Sequence, residues 1–135
     1  MAAVPPTASQ RRAQAAIDSG AALALAMLAW PFPLARAALP PVVHVLSVLV
    51  FWQLVQVGYL TLAMTVWGTT AGLSVVGLEV VDPAGAAIPK RRRALWGALS
   101  GLLADVRVVA PVRPGARDLP ERAADVDVIR MAPRP

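Results

Sequence analysis

The chain has no cysteine, which excludes disulfides and thiolate metal sites. It has one histidine, His44, and no HxxxH or HxxE spacing, so no zinc motif can be assembled. Charge is scarce: Asp, Glu, Lys and Arg make up 16% of the 135 residues, against about 25% in soluble domains. The scarcity is concentrated, because none of these four residues occurs from Ala37 through Leu78. No nucleophile–base pair and no phosphate-binding glycine loop is legible, so neither an enzyme nor a cofactor is expected.

Apolar side chains stand where charge is missing, at 57% of the chain. A bilayer core needs roughly 20 apolar residues in a helix, and Val42 to Val66 exceeds that. A first span is expected over about residues 13–30, ended by Pro31 and Pro33, which cannot continue helical hydrogen bonding. A second is expected over about 42–66. Trp30 and Trp67 suit the two membrane interfaces, and His44 is expected at the outer one. The net charge of +5 does not point to nucleic acid. Its basic residues flank the apolar runs, Arg11-Arg12 before the first and Lys90-Arg91-Arg92-Arg93 after the second. Such flanks stay in the cytoplasm, so the two spans form a hairpin with the N-terminus inside. The quartet can also hold anionic lipid headgroups.

The rest of the chain divides around these runs. Residues 1–10 read as a disordered lead, 11–130 as one membrane domain and 131–135 as a tail. Arg11, Gln14 and Asp18 share a helix face, with Arg11 and Asp18 about 10 Å apart along the axis; contact requires Arg11 to stretch or Gln14 to bridge. Ala22, Ala26 and Ala29 lie further along and suit close helix packing in lipid. Gln53 and Gln56, one turn apart in the second run, are expected to bond a neighbouring helix. Leu78–Asp82 and Asp125–Ile129 read as short strands able to pair. The third apolar segment, about 94–112, repeats Leu95, Leu99, Leu102, Val106 and Val109 at helical spacing. It either crosses, burying Asp105 and Arg107, or forms an amphipathic or re-entrant helix. The expected fold is thus an all-α membrane protein: a transmembrane hairpin, a third marginal or re-entrant helix, and a small cytoplasmic two-strand element.

Three motifs resemble the RDD family of small bacterial membrane proteins. The opening motif, an arginine followed two turns later by Ile-Asp, is matched by Arg11 and Ile17-Asp18. The middle motif is matched by Trp67, Gly68, Thr70, Gly72, Gly77, Leu78, Val80, Val81, Asp82 and Gly85. The closing motif is matched loosely by residues 117–124, with Asp118, Pro120 and Glu121 where the family carries Gly, His and Asp. The resemblance implies an inner-membrane protein acting either in transport, including cation/proton exchange, or as an accessory subunit beside Mce-type lipid importers. Residues and resemblance together favour an accessory subunit. Arg11, Asp18, Asp82 and Glu121 would form an ion-pair network at the inner interface. Membrane lipids and other membrane subunits would be the partners. The alternative is a small homo-oligomeric transporter.

Overall fold

Pro41 opens the longest element, where its fixed φ suits a first helical position and its missing N–H removes no bond. The helix then has nothing polar enough to interrupt it until Trp67 and Gly68, whose φ of +71° turns the chain away. A computed structural model describes residues 4–30, 39–84, 86–109 and 116–131. In chain order the elements are α1 (Ala8–Ala29), α2 (Pro41–Val66), α3 (Ala71–Val76), β1 (Leu78–Val81), α4 (Lys90–Leu102), α5 (Ala104–Val109), α6 (Leu119–Ala124) and β2 (Asp127–Arg130). Of the described helices, only α2 is long and apolar enough to cross a membrane, and only 11% of its most apolar stretch is buried.

α1 and α2 run antiparallel. Trp30 meets Phe51 edge-on at 5.3 Å, while Asp18 reaches Tyr59 and Thr70 near the far end of α2. α1 starts earlier than expected: Thr7 caps it in a reciprocal box with Gln10, and Pro6 is buried beside it. The lead is therefore ordered from Val4, whose carbonyl accepts a bond from Arg130 N–H at 3.1 Å. Pro31, Pro33 and Arg36 lie outside the described residues, as do Gly85, Pro111 and Val112.

The third segment begins at Lys90, so the basic quartet is helical, and it breaks at Leu103. α4 packs along α2 from its end to its middle. Gly97 and Gly101 make this possible. A Cβ on Gly97 would stand 2.6 Å from the Leu60 carbonyl oxygen, and one on Gly101 would stand 2.7 Å from Val57 Cα. Gln53 then donates to the Gly101 carbonyl at 2.9 Å. α5 turns off against α1. Arg93 lies over Gly68 at the end of α2, and the Ala116 carbonyl lies 3.4 Å from Arg11 at the start of α1. Since those two helix ends coincide, residues 90 and 116 lie toward the same end of the helices. The expected apolar stripe proves to be the outward face: Leu95, Leu102, Val106 and Val109 are exposed, while Trp96, Gly97, Ser100, Gly101 and Arg107 are buried.

Below the helices, β1 and β2 pair antiparallel, with Leu78 opposite Arg130 and Val81 opposite Asp127. β2 begins two residues later than expected, because Asp125 adopts a left-handed φ of 50° to end α6. The sheet turns Leu78, Val80 and Val128 onto Met64, Leu73 and Trp96, forming the chain's one cluster of buried large apolar side chains among the described residues.

Candidate functional site

Four polar clusters stand out, and the first is built around Asp18. It sits on the inward face of α1 and is 2% exposed. Thr70 caps α3, accepting from Leu73 N–H and donating to Asp18 at 2.8 Å. The Gly72 N–H donates to the same carboxylate at 2.8 Å. Gln14 adds a bond at 3.3 Å, and Tyr59 adds one at 3.4 Å while accepting from Ala71 N–H. These donors satisfy the carboxylate without a cation, as buried charge requires. Glycine is the only residue type the socket admits at position 72, because a Cβ there would overlap the Gln14 carbonyl oxygen. The middle-motif residues Thr70 and Gly72 are thus brought to Asp18. Gly77 supplies the left-handed end of α3 and the entry to β1, and Trp67 is exposed.

The second cluster holds Arg11. Its guanidinium donates to both oxygens of Glu121, at 2.8 and 3.0 Å, with both side chains nearly inaccessible. Glu121 also accepts from the N–H groups of Asp118 and Val128. Burial pushes its carboxyl above the usual range, while the Arg11 bond pulls the other way. Asp118 lies between Arg11 at 3.6 Å and Arg107 at 2.8 Å, and Arg107 stands over the Trp96 ring. The third cluster is at the sheet. Arg92 pairs with Asp82 and Asp125, and Arg117 pairs with Asp125 and Asp127. A backbone bond from Ala84, followed by the Arg92 contact, holds the Asp82 carboxyl below the usual carboxylate range.

The single network expected of Arg11, Asp18, Asp82 and Glu121 is therefore three separate ones. Arg11 and Asp18 lie two turns apart, and each finds nearer partners from distant parts of the chain. The basic quartet also divides. Arg92 is taken by Asp82 and Asp125, and Arg93 lies against Gly68, while Lys90 and Arg91 are exposed. Ala22 and Ala26 are buried within the chain itself, so of the alanine face only Ala29 is exposed.

The fourth cluster is where Gln56, expected to bond a neighbouring helix, finds its partners, Asp105 and Ser19. Gln56 is buried in the second half of α2 and donates to Asp105 of α5 at 3.0 Å and to Ser19 of α1 at 3.5 Å. The Trp52 indole N–H reaches Asp105 at 3.4 Å. The signal was present in sequence as Gly97 and Gly101, a small-xxx-small pair that allows close helix approach. Their four-residue spacing lays the segment from residue 97 onward along α2. Among the described residues, no group of three or more His, Asp or Glu side chains could hold a metal. Comparison with family models, with curated proteins and with solved structures finds no match.

Proposed function

We propose that the chain is a multi-pass inner-membrane protein acting as a structural or accessory subunit of a larger membrane complex. The carrying observation is the contrast between its two ends. At one end the charges of Arg11, Glu121, Asp82 and Arg92 are consumed by internal pairs. At the other, α2 leaves Val42, Leu46, Leu49, Val50 and Leu54 exposed, an apolar surface that water would not tolerate. Such a molecule is a rigid cytoplasmic base carrying an unclothed apolar rod. An orientation with both termini inside is supported by Arg11, Arg12 and the 90–93 quartet, which gather at one end of the helices. On this reading α1 is the second membrane-embedded helix and α4–α5 a re-entrant segment. The RDD resemblance, carried by Arg11, Asp18 and the 67–85 motif, supports a lipid importer of the Mce type as the complex.

A second reading, a small homo-oligomeric exchanger, is favoured by one observation. Asp18, the adjacent Ser19, Gln56 and Asp105 form a polar ladder from the inner end of α1 to the middle of α2. Purification of the tagged chain from its native membrane in gentle detergent separates the two. A stoichiometric complex with a larger membrane protein is the expected result. Recovery of the chain as a homo-oligomer that moves ions in vesicles would replace the subunit reading with the exchanger.

A further inference from the structure

Asp105 is the least comfortable charge in the molecule. It is exposed, and its neighbours Leu102, Val106 and Val109 are exposed and apolar. Its two bonds, from Gln56 and Trp52, fix its height on α2. Gln56 lies ten residues from Val66, about 15 Å inward at 1.5 Å per residue. With α2 crossing the bilayer, Asp105 faces outward well inside the apolar zone. A carboxylate there is costly unless it meets a cation or a water-filled space. No ion pair among the described residues includes it.

We propose that Asp105 is the docking point for a transmembrane helix of a different protein, one that carries a lysine or arginine within its apolar run. The inference rests on the subunit reading and names the chemistry of the partner. Charge complementarity selects a foreign chain over a second copy. α2 contains no Lys or Arg. Arg11 is held by Glu121, and Arg107 is buried against Asp118. Arg12 and the 90–93 quartet sit at the inner end, away from the height of Asp105. Arg117, Arg122 and Arg130 lie with α6 and the sheet, so among the described residues a second copy presents no free cation at that height. A lipid headgroup fails for the same reason, since its charge stays at the interface. Exposed Leu102, Val106 and Val109 then form the apolar rim that excludes lipid and strengthens the pair.

The test uses the full chain in its native membrane, with a photoreactive side chain replacing Leu102. The expected crosslink is to a membrane-spanning peptide of another protein with Lys or Arg inside its apolar run. Asp105→Asn should lower the crosslink yield at least tenfold, and Asp105→Glu should keep it. Asp105→Arg should abolish the crosslink and regain it when the partner's base is changed to Asp. Unchanged thermal unfolding of purified Asp105→Asn is expected, since the exposed side chain supports little of the chain's own packing. Crosslinks to lipid, to a second copy or to a helix without a base would overturn the proposal. So would a complex that forms equally well with Asp105→Asn, and that outcome leaves the subunit reading standing. A wild-type chain that purifies alone overturns the subunit reading itself.

Discussion

Gly72 is a position where a single methyl group decides whether two elements meet. A Cβ added there would collide with the Gln14 backbone oxygen, which cannot swing aside as a side chain would. Gly72→Ala should therefore push α3 off α1 and destabilise the protein by about 3 kcal/mol, the upper range for overpacking. Thermal unfolding in detergent micelles reads this directly; a variant as stable as the parent would remove the socket's steric basis. Arg11 offers a different kind of test. Its pair with Glu121 is buried, so Arg11→Ala leaves an uncompensated carboxylate and should lose about 3–5 kcal/mol. Arg11→Lys should not restore it, because an ammonium cannot make the two parallel bonds of the guanidinium. Denaturant titration of the three proteins distinguishes these outcomes. Asp82 sets a pH dependence. Its folded carboxyl lies below the usual range, so its stabilisation is complete above the unfolded value of about 3.9. That contribution disappears as pH falls through the lower folded value. Unfolding followed from neutral to strongly acidic pH should show a smaller acid loss in Asp82→Asn than in the parent.

Among the elements, α4 depends on its glycines more than on its apolar stripe. The stripe of Leu95, Leu99, Leu102, Val106 and Val109 reads in sequence as the apolar face of an amphipathic or re-entrant helix, and the structure turns all but the half-buried Leu99 fully outward. Periodicity identifies a face without saying what it meets. In a water-soluble helix the large apolar side chains go inward, whereas against lipid the small ones do, because close backbone approach is what holds helices together there. Gly101→Val should separate α4 from α2 and free the Gln53 amide from its carbonyl. Hydrogen exchange in α4 should rise by at least tenfold, while exchange in β1 and β2 should stay close to that of the parent. The strands, by contrast, were legible, since alternation, a Gly77 entry and a turn at Asp82 need only local chemistry. Only their bounds moved, with β2 starting at Asp127, because the left-handed Asp125 delays it.

For the whole molecule, the absence of cysteine makes topology directly measurable. Single cysteines replacing Arg12 or Glu79 should label only in inside-out vesicles, and one replacing Val42 only from the outside. Labelling of positions 12 and 42 from the same side would mean that α2 does not cross. The amino-acid sequence by itself determined that α2 is an uninterrupted apolar helix, that basic residues flank it, and that two short strands follow. Each depends on neighbours within a few residues and on the cost of burying charge. Only the tertiary structure decided which charges pair. Arg11 lies two turns from Asp18 in sequence but meets Glu121, 110 residues away, because the end of the chain returns to α1. Asp105 meets Gln56 only because two glycines let α4 lie against α2. Pairing of buried charges is set by which partner comes within about 3 Å with good geometry, and that distance is fixed by the packing of elements remote in sequence.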